Sequence, residues 1–223
     1  MTNNFLNTLA VDLTASDIQF GLDIQGVFSV YKNEDQPNFD KIFFFLSDFL
    51  NKNNLEIKKI DRIAVCTGPG SFNGIRASIS AMKGVCSSLP IQLIGINKFQ
   101  TLSKINEMTL ISLKYRDNKI YWCILKNEEP IFMSSSEIKD IKISDDYSDL
   151  IVIGYRAEEI AANIKVKKFI EKDGASIKDL LEYSRKIESL DKFPPKPLYL
   201  SPGQSLFTKY QGPNILDNPL DAR

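Results

Sequence analysis

Histidine is absent from this chain of 223 residues. Its absence excludes the Ser-His-Asp and Cys-His catalytic arrangements and the metal sites that depend on histidine, including the HExxH class. Cysteine is scarce, because Cys66, Cys86 and Cys123 are odd in number, widely spaced and embedded in apolar segments. That pattern indicates buried, reduced thiols rather than a disulfide framework.

The chain also carries no net charge, since 28 Lys and Arg residues balance 28 Asp and Glu residues. No global basic field exists that would hold nucleic acid by itself, so any RNA contact has to come from a local patch or from a partner. The local basic clusters lie at residues 165–168 and 192–196. We interpret both as solvated faces.

Long apolar runs are missing as well. The strongest, at residues 42–46, is far too short to span a bilayer, and the residues after Met1 show no basic leader region. We therefore expect a cytoplasmic protein without a membrane partner.

The sequence is organised around residues 60–89. An apolar run from Ile60 to Cys66 is followed by a Gly-Pro-Gly turn, which predicts a buried strand stopped by a tight turn. Ser71 follows the turn and can cap a helix over residues 72–89, because its hydroxyl accepts from free amides of the first turn.

That helix has two unusual faces. One is an apolar stripe, and the opposite one is made of small residues that allow another backbone to approach closely. Arg76 and Lys83 lie near each other at one edge. We therefore predict that this helix is covered on both sides, by its own sheet and by another subunit. The stripe comprises Phe72, Ile75, Ile79, Met82, Cys86 and Leu89, and the small face Ala77, Ser80, Ala81, Gly84 and Ser88.

Residues 68–76, followed by Ala81-Met82-Lys83-Gly84, resemble the signature of the bacterial TsaB family, written GPGSFTGLR with a later AKG. Asn73 stands where the family usually has Thr. The resemblance implies a non-catalytic dimerisation or scaffold subunit of the complex that makes N6-threonylcarbamoyladenosine in tRNA. It also implies no catalytic residue, no cofactor and no metal.

The family resemblance further implies a two-lobe, actin-like ATPase (ribonuclease H-like) α/β fold with a smaller, degenerate second lobe. We expect a first lobe over residues 1–106, a second over 107–200 and an irregular or disordered tail over 201–223. In active members of this superfamily the first strand ends in Asp-x-Gly-x-Thr. Here Leu13 follows Asp12 and no glycine is present, so we interpret Asp12 as a structural residue.

Alternating strand and helix patterns with short connections indicate parallel pairing on an open sheet. We predict strands at residues 5–12, 17–23, 27–31, 60–66, 91–96, 108–115, 119–126, 131–133 and 150–153, and helices at residues 38–53, 72–89, 97–106 and 175–188.

The first predicted helix presents an apolar face made of Phe39, Ile42, Phe43, Leu46, Phe49 and Leu50. Phe44 and Phe45 point away from this face, and they either form an exposed apolar patch or pack under a neighbouring loop. We predict a partner interface that joins this helix to the central one. It comprises Phe44, Phe45, Ile75, Arg76, Ala77, Ala81, Lys83 and Gly84.

By resemblance, the partner is the TsaD-like catalytic paralogue, with a TsaE-like ATPase docking on the pair. The chain alone would form a homodimer, and it would meet tRNA only indirectly, through the complex.

Two alternatives remain open. An ATP-dependent phosphotransferase or ATPase of the same superfamily would need a phosphate loop after the first strand, and none is visible. A dinucleotide-binding dehydrogenase would need glycine at position 73. The turn itself, at Gly70 and Ser71, is a weak candidate anion site, although no Gly-Lys-Ser/Thr follows it.

Overall fold

The computed structural model describes residues 6–15, 17–33, 39–104, 107–143, 149–166, 168–201 and 205–207. The chain divides into two compact units. The first contains Met1–Thr101 and Ser176–Tyr199, and the second contains Leu102–Ala175 and Leu200–Arg223. Each unit is built on one mixed β-sheet.

The first sheet has five strands in the order β3-β2-β1-β4-β5. The first three strands are antiparallel, while β4 pairs parallel with β1 and β5 pairs parallel with β4. The first three strands therefore form an antiparallel meander, and each of the two parallel strands that follow is reached by a helical crossover. The strands are β1 (Thr8–Asp12), β2 (Ile18–Ile24), β3 (Val27–Asn33), β4 (Arg62–Cys66) and β5 (Gln92–Ile96).

Helices α1 (Ile42–Lys52) and α2 (Phe72–Ser88) supply the two crossovers, and the short α3 (Lys98–Leu102) follows β5. A 3-10 turn over Phe39–Lys41 precedes α1. Successive strand residues point to opposite faces of the sheet. Leu9 and Val11 of β1 accordingly join α1 and α2 in one core cluster.

The second sheet has six strands in the order β10-β9-β6-β7-β8-β11. Its parallel part is β10, β9 and β6, and the rest is antiparallel. Helix α4 (Ala157–Asn163) packs beside β9 and β10. The strands are β6 (Met108–Lys114), β7 (Lys119–Lys126), β8 (Glu129–Glu137), β9 (Ile151–Gly154), β10 (Lys168–Glu171) and β11 (Ser205–Phe207).

Helix α5 (Ile177–Ser184) returns to the first unit. Ile177, Leu180 and Leu181 pack on the face of the first sheet opposite α1 and α2. Arg62 of β4 fixes this arrangement, because its buried guanidinium donates to the carbonyl oxygens of Ser184 at 2.8 Å and Ile187 at 3.1 Å. Residues 107–200 were expected to form one lobe, but residues 176–199 belong to the first unit instead.

Several predicted boundaries also change. The helix expected to reach residue 106 ends at Leu102, and residues 105–106 lie outside the described part of the chain. β8 is longer than predicted, whereas α4 and β10 were missed. Part of the predicted irregular tail forms β11, which pairs with β8, and residues 208–223 lie outside the described residues.

Among the residues that the structure describes, no helix combines the length and apolarity needed to cross a membrane.

Candidate partner-binding face

Exposed aromatic side chains mark the outer side of α1. Phe43 is 53% exposed and Phe44 is 68% exposed. Phe45 is half-buried, and its ring centroid lies 6.2 Å from that of Tyr31 in β3. The prediction that Phe43 faces inward and Phe45 outward was therefore wrong, while Phe44 is exposed as expected.

The described residues of the first unit cover helix α2 along one side only. Ile75, Ile79 and Met82 are buried, but Phe72, predicted as part of the buried stripe, is 54% exposed. Arg76 and Lys83 lie on the open side rather than at its edge. This side also carries Ser80, Gly84 and Ser88, all of them exposed.

The predicted interface residues of α2 separate into three groups. Arg76, Lys83 and Gly84 are exposed. Ala77 and Ala81 are half-buried and pack against the core beneath α1 and α2. Ile75 is fully buried, so it cannot meet a partner without opening the core.

A groove of about 500 Å³ runs between α1 and α2. Gly84 lies on one wall, and a Cβ atom built there would meet no heavy atom within 4 Å. The space beside Gly84 is therefore open to a side chain or a helix of a partner. The α1 wall contains Phe43, Leu46 and Leu50, and the α2 wall contains Gly84, Val85 and Ser88.

We use the name strand-end site for the carboxyl ends of β1, β4 and β5, where Asp12 is the last residue of β1. A buried ion pair closes this site. The ammonium of Lys98 lies 3.0 Å from Oδ2 of Asp12. Oδ1 of Asp12 accepts hydrogen bonds from the Thr14 amide at 2.8 Å and the Thr14 hydroxyl at 2.6 Å. The backbone amide of Lys98 donates to the carbonyl of Gly68. This network ties the ends of β1, β4 and β5 together.

Both members of the pair are charged. Burial opposes ionisation of Asp12, but the Lys98 ammonium and the Thr14 hydrogen bonds outweigh it and hold the pKa of Asp12 below its usual value. Burial likewise acts to lower the pKa of Lys98, but the Asp12 carboxylate raises that pKa above its usual value. Burial and the Asp12 charge raise the pKa of Cys66 to about 12, so this thiol stays protonated.

The candidate anion site at Gly70 and Ser71 is already in contact with the chain. The Ser71 amide donates to the carbonyl of Thr14 at 2.7 Å, and the Ser71 hydroxyl caps α2 by accepting from the Gly74 amide at 3.2 Å. A Cβ at Gly70 would lie 2.2 Å from the Thr14 oxygen. Backbone fills the space beside the turn, which argues against phosphate binding there.

Residues 193–199 line the same end of the first unit. The amide of Gly95 in edge strand β5 donates to the carbonyl of Phe193, and the Leu198 amide donates to the carbonyl of Thr67, each at 2.8 Å. The ring of Tyr199 then lies 4.8 Å from that of Phe72, between centroids. This segment covers the free edge of the sheet and ends beside the open side of α2.

Comparison with known proteins supplies an independent indication. The family model of TsaD, the tRNA N6-adenosine threonylcarbamoyltransferase, matches residues 40–116. The tRNA threonylcarbamoyladenosine biosynthesis protein TsaB of Escherichia coli strain K12 is 25% identical over 95 residues, which are 40% of this chain and 41% of that protein. TsaB of Buchnera aphidicola subsp. Schizaphis graminum is 24% identical over 102 residues, which are 43% of this chain and 49% of that protein. The chain thus spans half or less of the length of these curated relatives.

These matches confirm the resemblance to the TsaB family. The solved structure of YeaZ from Pseudomonas aeruginosa superposes with a TM-score of 0.65 at 16% identity, covering 88% of this chain and 100% of that one. At that identity the likeness shows the fold alone, and it confirms the expected two-lobe, actin-like α/β fold.

Residues 68–76, which resemble the TsaB signature, form the turn after β4 and the start of α2, and residues 81–84 lie farther along the same helix. Its cap is formed as predicted, and the substituted residue Asn73 is exposed on the first turn of α2. Arg76 ends the signature on the open side of the helix, with its guanidinium carbon 5.2 Å from the centre of the Phe72 ring.

Sequence reasoning missed Lys98. It lies two positions after the last residue of β5, whereas Asp12 is the last residue of β1. Side chains at the carboxyl ends of parallel strands meet at one edge of a sheet, so the signal was present once the strand order was known.

Proposed function

We propose that this chain is the non-catalytic, partner-binding subunit in tRNA threonylcarbamoyladenosine biosynthesis, and that it binds a TsaD-type transferase through the α1–α2 face. By this face we mean the exposed sides of α1 and α2 with the groove between them. The names of the matching relatives, TsaB and TsaD, support the pathway. By family resemblance, a TsaE-like ATPase would dock on the pair, and a second copy would occupy the face when the transferase is absent.

The observation that carries this proposal is the open apolar surface on α1. Phe43 and Phe44 expose more than half of their surface in the isolated chain, although exposed aromatic patches of this kind are uncommon on monomers. Burying the parts of the two side chains that are still exposed would contribute on the order of 2–4 kcal/mol before the cost of association. The groove beside them offers concave space for the partner.

The non-catalytic part of the proposal is supported by the strand-end site. Lys98 neutralises Asp12 from within the chain, and the Thr14 backbone lies directly against Gly70 of the turn. A nucleotide phosphate would have to displace both. We therefore expect that isothermal titration of the isolated chain with ATP shows no micromolar binding, and micromolar affinity would favour the ATPase alternative.

The direct test is Gly84→Leu. Because glycine is a poor helix former and the added side chain points into open space, the variant should be at least as stable as the wild type. The leucine fills the groove, however, so binding to the TsaD-type chain should fall by at least about tenfold. Light scattering and titration of the mixed proteins measure this, followed by a threonylcarbamoylation assay with and without this chain.

Ala162→Leu is the matched control, since Ala162 is an exposed small residue on α4 of the second unit. It should leave the complex unchanged. Undiminished binding by Gly84→Leu would show that the proposed face is wrong, and failure of the wild type to bind or support the transferase would reject the function itself.

A further inference from the structure

The charges of α2 are all of one sign. Arg76 and Lys83 are the charged residues of this helix, and no acidic residue occurs between Phe72 and Ser88. They lie seven positions apart, so they point in nearly the same direction, about 10 Å apart along the helix axis. Both are exposed, and neither makes an ion pair with any residue in the described part of the chain.

Two acidic groups, one on α1 and one on the rim of the groove, are engaged within the chain. Asp48 of α1 pairs with Lys52 at 2.7 Å. Glu56, on the rim of the groove, pairs with Lys58 at 2.7 Å. Neither of these two carboxylates pairs with a cation of α2.

We infer that the partner surface covering α2 carries carboxylates opposite Arg76 and Lys83, around an apolar centre that meets the groove. This inference rests on the proposed function. Covering a cation without pairing it is costly, and carboxylates are the strongest acceptors for two neighbouring cations, so a partner that closes over α2 supplies carboxylates there. The occupant is thus a protein with an acidic and apolar face.

A second copy of this chain is a poorer occupant. A two-fold interface presents the same patch on both sides, so α2 packed against α2 would bring cations from both copies together. Repulsion of this kind selects against a wrong partner. Self-association through this face is therefore weaker than binding to the acidic partner.

The test reverses both charges with Arg76→Glu and Lys83→Glu in one variant. The control variant, Lys142→Glu with Lys165→Glu, makes the same change in net charge at exposed positions of the second unit. At 0.1 M salt, the α2 variant should bind the TsaD-type chain about 30-fold more weakly than wild type, from two attractive pairs made repulsive. At 1 M salt the loss should shrink to within about threefold, because charges are then screened over about 3 Å.

A separate experiment measures whether the charges of α2 weaken the homodimer. A mixture of wild type and the α2 variant brings opposite charges together across the two-fold interface, so sedimentation should show mixed dimers at least about tenfold tighter than either self-dimer. A mixture that associates no better than wild type would refute this preference. A complex that tolerates charge reversal as well as it tolerates the control would overturn the acidic-partner inference and leave the proposed function intact. A wild-type chain that binds no TsaD-type protein would overturn both.

Discussion

Replacing Lys98 with Met isolates the buried ion pair that closes the strand-end site. The Lys98 and Asp12 side chains are only 14% and 6% exposed, and their charged atoms lie 3.0 Å apart. Methionine keeps most of the side-chain volume but removes the ammonium, so Asp12 is left buried with the Thr14 hydrogen bonds alone. Its carboxylate must then stay charged without a partner or take up a proton.

The expected cost is large for a single substitution. Breaking a buried pair by removing one partner destabilises proteins by about 3–5 kcal/mol, because an uncompensated charge stays inside. Adding Asp12→Asn to Lys98→Met should recover most of this loss. The Asn carbonyl still accepts from Thr14, and the remaining cost should be about 1–2 kcal/mol for one amide group left without a partner. The two substitutions are therefore strongly non-additive.

The assay has to report on the first unit. Trp122, the single tryptophan, belongs to the second unit, and two units can unfold separately, so a fluorescence midpoint would not isolate the effect. Hydrogen exchange of the β1 and β4 amides measures it directly. Lys98→Met should raise their exchange rates by more than about 100-fold. Lys52→Met, which breaks the solvent-exposed pair with Asp48, is the control and should leave these rates unchanged. Equal behaviour of the two variants would refute the argument.

Two further predictions follow from buried charges in the first unit. The pKa of Asp12 is lower in the folded chain than its unfolded value of about 3.9, so the pair stabilises fully above that pH, and its contribution is lost as pH falls through the lowered folded pKa. Acid unfolding of wild type should therefore show a component that Asp12→Asn with Lys98→Met lacks, and identical acid profiles would contradict this. Arg62→Met removes the donors to Ser184 and Ile187 and should cost about 2–3 kcal/mol. Exchange in α5 should rise while β6 and β9 keep their protection, and protection of α5 equal to wild type would show that Arg62 does not hold it.

The parts of the fold that sequence predicted well are those set by local physics. The strand, the turn and the capped helix of residues 60–89 each follow from patterns within a few residues, and Ser71 caps α2 as expected. The strands predicted at residues 17–23 and 27–31 likewise correspond to β2 and β3, and the short turn between them has positive φ angles at Gln25 and Gly26. Interactions between residues only a few positions apart can be predicted directly from the sequence pattern.

Helical periodicity could not decide which aromatic of α1 is buried. Phe43 and Phe45 flank the stripe formed by Ile42, Leu46 and Phe49 at similar angles, one on each side. The neighbouring elements decide, since Tyr31 of β3 covers the Phe45 side while the Phe43 side borders the groove. On the predicted face, Phe43 therefore takes the exposed place expected for Phe45, and the binding of a partner to this face stays a prediction.

Long-range pairing explains the remaining differences. An amphipathic pattern identifies the inner face of α5 but not the sheet it meets, so α5 was assigned to the wrong unit. Two cations next to buried strands could have indicated these long-range contacts. Arg62 begins the buried strand β4 and Lys98 closely follows β5, and both buried cations find partners in distant segments of the same chain. Arg76 and Lys83 stay without an ion-pair partner in the described part of the chain. The first unit supplies carbonyl oxygens to Arg62 and a carboxylate to Lys98 but no ion-pair partner among its described residues to these two, and this contrast is the strongest reason to look for their partner in another protein.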